Sequence, residues 1–393
     1  MRFPGIHLAL LSATALAACG ADTPAPRAEP WVPRPTPAAT VDSEHGRLRV
    51  ETLVEGLEHP WSLAFLPDGG MLVTERPGRL RRIHRDGRVS PPLNGLPRIF
   101  VSGQAGLMDV ALSPRFDEDG LVYLSFAEPN LRGNLAGTAV LRARLVEDGL
   151  SDVDVVYRQE PKRSAGTHVG SRIVFAGDGT LFVTQGDNRL AADLAQQLDA
   201  LPGKIVRIGA DGSVPPDNPF VGRADARPEI WSLGHRNVQG AALHPGTGQL
   251  WTSEHGPMGG DELNLPAPGG NYGWPVVTHG LDYSGDPVPG AVGREAPGMV
   301  PPHHVWAVSP GLSGMAFYDG ALFPQWDGNL FLGALVSREL IRLELDGERV
   351  VAEERLLGEL EARVRDVRVG PDGALYVLTD AVNGALLRVS PAG

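Results

Sequence analysis

Three glycine-rich loops of this chain hold the residue types that move protons or bind ions. The first places His168 between Gly166 and Gly170, where an imidazole can project into a cleft as a general base. Asp187 follows the second strand of the predicted hairpin after His168. A hairpin returns the chain to the end where it began, so we expect Asp187 to lie near His168 and to orient its ring. The alternative is a loop histidine that only bonds backbone.

The second loop covers residues 233–240 and places Arg236 and Asn237 beside further hydrogen-bonding side chains. A guanidinium suits the oxygens of a carboxylate, a phosphate or a quinone. Arg236 is therefore a candidate ligand-binding residue. The alternative is a structural arginine that pairs with an acid between neighbouring units.

The third loop, residues 253–264, combines carboxylates, an asparagine and turn carbonyls, and the polar stretch 269–275 follows it. This composition suits a hard cation such as Ca²⁺, although the spacing is not that of an EF-hand. The alternative is a solvated acidic loop without an ion. Zinc is disfavoured, since the chain has no His-x-x-x-His pair and its one cysteine is Cys19.

Short β-hairpins must position these loops, and the same pattern of strand, turn and strand appears about six times. Asp-Gly turns between apolar runs give the clearest copies. The copies lie at residues 63–73, 110–124, 173–183, 241–251, 315–332 and 367–377. Their spacing leaves room for four strands each, which predicts an all-β propeller with long loops at the channel mouth. A pair of β-sandwiches is the alternative.

The composition agrees with a turn-rich globular protein and argues against nucleic-acid-binding and membrane-spanning proteins. The 393 residues include 50 Gly and 35 Pro, and 42% of the chain is hydrophobic. The net charge is −12, which argues against nucleic acid as a partner. After the first twenty residues no apolar run is long enough to cross a bilayer.

The first residues predict a signal peptide followed by a tether. Residues 1–18 have a positive start and a short apolar stretch, as in a signal peptide. Cys19 at the predicted cleavage point resembles the lipobox of bacterial lipoproteins, so we expect a periplasmic protein that contacts the membrane only through a lipid on Cys19. Residues 19–45 are predicted to be a Pro/Ala-rich tether and residues 46–393 the propeller. Ordinary secretion with an incidental Cys19 is the alternative.

A set of short motifs in a fixed order identifies a resemblance. The motifs are Pro60–Phe65, Gly103–Leu107, Gly234–Gly240, Glu254–Pro257, Gly260–Glu262, Asn271–Pro275 and Arg363–Val367. With them the chain resembles the soluble pyrroloquinoline quinone (PQQ)-dependent aldose sugar dehydrogenases, the glucose/sorbosone dehydrogenase family, from about Val54 to Ser390. That family implies a six-bladed propeller.

The resemblance implies a distinct role for each of the loop residues. His168 would remove the proton of the sugar's anomeric hydroxyl, with Asp187 as its orienting carboxylate, and Arg236 would stabilise charge on the quinone oxygen. The positions that would face or bind the PQQ cofactor are Gln104, Arg236, Asn237, Arg363 and Arg365.

The same resemblance implies Ca²⁺ at two places. The backbone carbonyls of Gly256 and Pro257 would bind an ion on PQQ, and Glu262 and Tyr272 would form a structural site.

One position departs from the family pattern. Val336 stands where the family often has a lysine that reaches the cofactor. Arg338 lies two residues further on and would share a face with Val336 in a strand, so we expect Arg338 to replace that lysine.

The implied reaction is oxidation of an aldose at C1 to a lactone, with hydride transfer to the C5 carbonyl of the quinone and an electron acceptor of the respiratory chain. Two other functions stay open from the residues alone. One is a calcium-dependent propeller lactonase, which needs no quinone. The other is a non-catalytic sugar-binding propeller.

Overall fold

Turn residues such as Asp and Gly allow the chain to form the inner hairpins of the sheets. At Asp68-Gly69 the glycine adopts φ +81°, and Gly70 N donates to Asp68 Oδ1 at 2.8 Å. The strands on either side then pair antiparallel, with Leu63 opposite Val73.

A computed structural model describes residues 39–164 and 166–393. The predicted signal peptide, Cys19 and most of the predicted tether lie outside these residues. The described chain forms six antiparallel sheets, or blades, and the six-bladed propeller is confirmed.

The blades follow one another along the chain. Blade 1 has β3 (Pro60–Phe65), β4 (Met71–Glu75) and β5 (Arg79–Ile83). Blade 2 has β6 (Leu107–Leu112), β7 (Leu121–Pro129), β8 (Ala136–Val146) and β9 (Gly149–Arg158). Blade 3 has β10 (Ile173–Phe175), β11 (Thr180–Thr184), β12 (Lys204–Gly209) and β13 (Ile230–Leu233).

Blades 4 to 6 complete the ring. Blade 4 has β14 (Val238–Leu243), β15 (Leu250–Glu254), β16 (Asp261–Asn264) and β17 (His304–Trp306). Blade 5 has β18 (Leu312–Phe317), β19 (Leu330–Ala334), β20 (Leu340–Asp346) and β21 (Arg349–Leu356). Blade 6 joins β22 (Val364–Val369), β23 (Leu375–Thr379) and β24 (Gly384–Pro391) to β2 (Gly46–Leu57) and β1 (Ala39–Ser43).

Two sheets differ from the four-strand expectation. Blade 1 has three strands, and residues 88–90 continue its edge through an isolated bridge from Ile83 to Val89 and a bond from Ser90 N to Arg82 O at 2.8 Å. Pro91 and Pro92 follow directly, and proline cannot donate to a strand ladder. Blade 6 has five strands, because β1 pairs with β2 before the propeller boundary predicted at residue 46.

Helix is scarce in the described chain. It is confined to a four-residue α-helix, α1 (Phe116–Asp119), and to 3₁₀ turns at Ala192–Gln196, Pro324–Trp326 and Gly358–Leu360. Within the described residues no helix has the length and apolar character needed to span a membrane.

The apolar core is divided into layers between neighbouring blades. The layer between blades 5 and 6 holds sixteen buried residues, including Trp326 and Phe331. The layer between blades 3 and 4 holds four, which are Phe182, Ile205, Ala241 and Leu250. Burial between blades therefore holds the ring together, and it does so unevenly.

The first strands of the blades contact one another around the centre of the ring. A cluster of two buried acids, the buried Arg172 and the partly exposed Arg368 joins several of them. Asp109 lies 3.3 Å from Arg172 and 3.2 Å from Arg368, and Asp366 lies 3.0 Å and 2.9 Å from the same two guanidiniums. Each charge faces opposite charges, so the cluster can be buried without a lone ion.

Candidate active site

A cavity of about 820 Å³ opens at one end of the propeller, where inner strands begin and the polar loops meet. Its wall is rich in nitrogen donors. The polar and aromatic side chains that line it include His59, Trp61, Arg76, Gln104, Gln239, His255, Arg363 and Arg365.

His168 and Asp187 lie next to this cavity and contact each other. His168 Nδ1 and Asp187 Oδ1 are 2.6 Å apart, as the hairpin argument predicted. A carboxylate accepts the proton of Nδ1, so Nε2 carries the lone pair of the neutral ring. Gln104 Oε1 accepts a hydrogen bond from His168 N at 2.8 Å, which ties the backbone of His168 to a side chain of the cavity wall.

The surroundings favour the basic form of His168. Burial lowers the pKa of His168, Arg236 lowers it further, and Asp187 acts in the opposite direction. The His168 side chain keeps 8% of its surface exposed. His168 is thus a buried imidazole that stays neutral below the ordinary histidine range.

The backbone around the pair is tightly constrained. His168 adopts φ +50°, which is strained for a residue with a side chain. Gly186 approaches it so closely that a Cβ there would lie 2.0 Å from His168 O. Trp274 Nε1 donates to Asp187 Oδ2 at 2.7 Å and fixes the other carboxylate oxygen.

Arg236 and Asn237 lie directly behind the cavity wall. Arg236 Nη1 donates to Gly256 O at 2.7 Å, and its Nη2 donates to the Tyr283 hydroxyl at 3.2 Å. Within the described residues Arg236 Nε is buried without a hydrogen-bond partner. Asn237 Oδ1 accepts from Gln239 Nε2 at 3.1 Å, which links this loop to the cavity wall.

Arg363 and Arg365 form a cationic side of the cavity. Arg365 donates to Gln239 Oε1 at 3.0 Å and to Asp380 Oδ2 at 2.9 Å. Arg363 lies 3.5 Å from the same Asp380 oxygen, and His59 Nδ1 lies 2.7 Å from Oδ1. Burial acts to raise the pKa of Asp380, but Arg365 and His59 hold it well below its usual range.

The residues predicted to bind calcium fall into two groups. Gly256 and Pro257 line the main cavity, and Gly256 O already accepts from Arg236. Glu262 and Tyr272 line a separate cavity of about 550 Å³. The Tyr272 hydroxyl donates to Leu265 O and accepts from Ala267 N, so its carbonyl is the atom that suits an ion.

The surroundings of Glu262 fit a cation. Burial raises the pKa of Glu262 to about 8, and the neighbouring Glu254 adds to that rise. Both carboxylates accept from Asn264 Nδ2, and among the described residues Asn264 Oδ1 is buried without a partner. Two carboxylates and a free amide oxygen are donors that Ca²⁺ prefers. Across residues 39–164 and 166–393 no three His, Cys, Asp or Glu side chains cluster as a metal site, so amide and carbonyl oxygens would have to complete it.

The placement of Arg338 does not support its predicted role. Val336 is 66% exposed and lines the cavity, but Arg338 is exposed and absent from the wall. The predicted role requires a strand at this position, whereas β19 ends at Ala334, β20 begins at Leu340, and Arg338 adopts φ +60°. The alternation of side chains along a strand does not apply to this bend.

Several site residues were missed by the sequence analysis. His59 had a usable signal, since it precedes the first inner strand as His168 precedes the third. Trp274 was recognised only as part of a motif. Tyr283, which lines the cavity and meets Arg236, lies in a long loop between β16 and β17 with no distinguishing pattern.

The arrangement combines an oriented imidazole base with a cavity wall that carries several guanidiniums. Such a wall suits a ligand with several carboxylates, because each charge-assisted bond is stronger than a neutral one. His168 does not itself line this cavity, and its backbone is bonded to Gln104, which does.

Comparison with known proteins gives three kinds of match. The family model described as Glucose / Sorbosone dehydrogenase matches residues 57–388. The aldose sugar dehydrogenase YliI of Escherichia coli is 48% identical over 347 residues, which cover 88% of this chain and 93% of the relative.

Solved structures agree with this match. A glucose dehydrogenase crystal structure superposes with a TM-score of 0.85 at 55% identity, covering 86% of this chain and 98% of the other. The PQQ-bound form of an aldose sugar dehydrogenase from Streptomyces coelicolor gives a TM-score of 0.71 at 29% identity, with 87% and 98% covered.

Proposed function

The chain belongs to the glucose/sorbosone dehydrogenase family, and we propose that it oxidises aldose sugars at C1 with PQQ as its cofactor. The observation that carries this proposal is the position of the His168–Asp187 pair beside a cavity lined by arginines. The PQQ-bound relative from Streptomyces coelicolor supports the choice of cofactor.

Arg363 and Arg365 would hold the carboxylates of PQQ. Arg365 is buried and already directed by Gln239 and Asp380, so it loses little freedom on binding. Arg236 and Asn237 would approach the cofactor from behind the Gly256 loop.

His168 would act as the general base on the sugar. When bound, PQQ supplies the two-electron acceptor that sugar oxidation requires. His168 Nε2 accepts the proton of the anomeric hydroxyl, and Asp187 stabilises the imidazolium that forms. Arg236 places positive charge beside the site, where negative charge on a ligand is stabilised. The product of oxidation at C1 of a cyclic aldose is a lactone.

Calcium is proposed for both predicted places. Glu262 with Glu254 and Asn264 would hold a structural ion that neutralises the buried carboxylates. An ion at the Gly256 and Pro257 carbonyls would replace the bond from Arg236 and leave Arg236 Nη1 for a ligand in the cavity.

Reconstitution tests the proposal. Purified apo-protein is mixed with PQQ and Ca²⁺, and a panel of aldoses is screened with an artificial electron-accepting dye. We expect sugar-dependent dye reduction that needs PQQ and disappears on chelation. Lactone hydrolysis without a quinone would instead identify a calcium-dependent lactonase, and sugar binding without turnover would identify a binding protein.

We also propose that the chain is a periplasmic lipoprotein held by a lipid on Cys19, which would bring it near a respiratory-chain acceptor. Metabolic labelling with radioactive palmitate tests this, with Cys19→Ala as the matched variant. Label in the wild type that persists in Cys19→Ala would contradict the anchor.

A further inference from the structure

Arg76 is a cavity residue whose position is fixed by its backbone. It follows β4 directly, and its N donates to His59 O at 3.0 Å while its O accepts from Leu107 N at 3.1 Å. Gly106 packs so closely that a Cβ there would lie 1.9 Å from Arg76 O. The turn therefore holds Arg76 at one place on the cavity wall.

The guanidinium of Arg76 differs from its neighbour in the same hairpin. Arg79 pairs with Glu58 at 2.6 Å and with Glu75 at 2.7 Å. In the described chain Arg76 forms no ion pair, and its Nη1 donates instead to Gly103 O. A charged donor is thus used to hold a backbone carbonyl beside the site.

The carbonyl of Gly103 belongs to the loop that supports the proposed base. Gln104 N donates to Gly166 O at 2.7 Å, and Gln104 Oε1 accepts from His168 N at 2.8 Å. Gly103 adopts φ +57°, and a Cβ there would lie 2.3 Å from Gly166 O. The loop is therefore docked directly against the chain that leads to His168.

His168 needs this support because its own conformation is unfavourable. A non-glycine residue at positive φ is unfavourable and persists only where its surroundings impose it. The contacts from Arg76 through Gly103 and Gln104 are one part of those surroundings.

We propose that Arg76 is a positioning residue for His168: by holding the Gly103 carbonyl it keeps Gln104 against the backbone of the base. This inference rests on the proposed function. Arg76 acts through another residue and is not itself assigned a contact with substrate or cofactor.

Kinetics of three variants test the inference. Arg76→Met keeps a similar length but removes the donor, Arg76→Lys keeps a charged donor, and Arg79→Met removes a neighbouring arginine that does not line the cavity. A displaced base can cost about 10²-fold, so we expect kcat of Arg76→Met to fall by about tenfold to a hundredfold. KM and the Kd for PQQ should stay near wild type, Arg76→Lys should recover most of the loss, and Arg79→Met should retain wild-type kcat.

Other outcomes overturn the inference. Wild-type kcat in Arg76→Met would show that the loop of Gly103 and Gln104 keeps its position without the bond from Arg76. Weaker PQQ binding with unchanged kcat at saturation would make Arg76 a cofactor contact instead.

A crystal structure of Arg76→Met separates this inference from the proposed function. We expect the distance from Gln104 Oε1 to His168 N to lengthen beyond hydrogen-bond range. That measurement needs no turnover, so it still decides the matter if the wild type proves inactive with PQQ and every aldose. An unchanged loop in the variant would reject Arg76 as the residue that holds it.

Discussion

At the scale of single residues, His168 combines burial, an acceptor for Nδ1 and a strained backbone. Replacing it with alanine removes the proposed base but leaves the arginines of the cavity. We expect His168→Ala to lower kcat by about 10²–10⁴-fold, the usual cost of losing a general base. Titration of the apo-protein with PQQ should give the wild-type Kd. Normal turnover in the variant would assign His168 a structural role.

The pH dependence of kcat/KM should report the environment of the same ring. Burial lowers the pKa of His168, so the neutral base persists below pH 6.5 and the acid limb should lie below that value. Asp187→Asn removes an interaction that raises this pKa, so the limb should move to lower pH. The amide also orients the ring less well, and kcat should fall by about 10²-fold. A limb that moves to higher pH would contradict this account.

The sequence allowed some of these residues to be found and not others. Pairing of His168 with Asp187 follows from hairpin geometry, which depends only on where two strands end. Arg338 was expected from strand alternation, which fails in the bend between β19 and β20. Tyr283 reaches the cavity from a long irregular loop, and no periodicity predicts where such a loop returns.

At the scale of elements, the buried ion cluster joins strands of different blades. Asp109 on β6 accepts from Ser62 on β3 and from Ile173 N on β10, besides pairing with two arginines. Asp109→Asn leaves those arginines to share Asp366. Breaking a buried pair costs about 3–5 kcal/mol, and we expect a loss of that size in the free energy of unfolding.

Denaturant unfolding measures this loss. Asp346→Asn is the matched control, because Asp346 pairs with Arg349 on the exposed surface and such pairs contribute about 0–1 kcal/mol. Equal stability of Asp109→Asn and the control would show that the cluster is not needed to join the strands.

The β16 strand carries the proposed structural calcium site. We expect Ca²⁺ at a hundredfold excess over its Kd to stabilise the fold by about 2.7 kcal/mol, as any ligand of the native state does. Glu262→Gln should abolish the rise in Tm, whereas Glu359→Gln on an exposed turn should keep it. Calorimetry with chelator and with Ca²⁺ makes the comparison. A calcium effect that survives Glu262→Gln would place the ion elsewhere.

The elements themselves were largely predictable. Turns rich in Gly, Asp and Pro between apolar runs specify hairpins locally, and six such turns, not all of them Asp-Gly, predict six inner strand pairs. The absence of a regular fourth strand from blade 1 does not follow from counting hairpins, because it depends on Pro91 and Pro92 at the edge of the sheet. Residues 39–43 were predicted to be part of the tether but form β1. This strand is stabilised by pairing with β2 and by the ion pair of Glu44 with Arg342 on blade 5, and local sequence does not reveal those contacts.

At the scale of the whole molecule, the layers between blades predict where the ring opens first. The layer between blades 3 and 4 has four buried apolar residues, against sixteen between blades 5 and 6. Local opening follows local packing, so backbone amides of β10 and β11 should exchange with solvent faster than those of β22 and β23. Hydrogen exchange followed by mass spectrometry checks this. Equal protection from exchange in the two strand pairs would mean that polar contacts between blades 3 and 4 make up for the smaller number of buried apolar residues there.

Blade 6 pairs a strand from near the start of the chain with the last strand, so this sheet stays incomplete until both are available. Glu51 on β2 bonds Arg388 on β24, and the two are 337 residues apart in the chain. Strand β2 can therefore complete its sheet only after the last strand of the chain has arrived. An open strand edge invites pairing with other chains, and charged residues discourage it. Strand β2 carries Arg47, Arg49, Glu51 and Glu55, and these charges should discourage such pairing until β24 is in place.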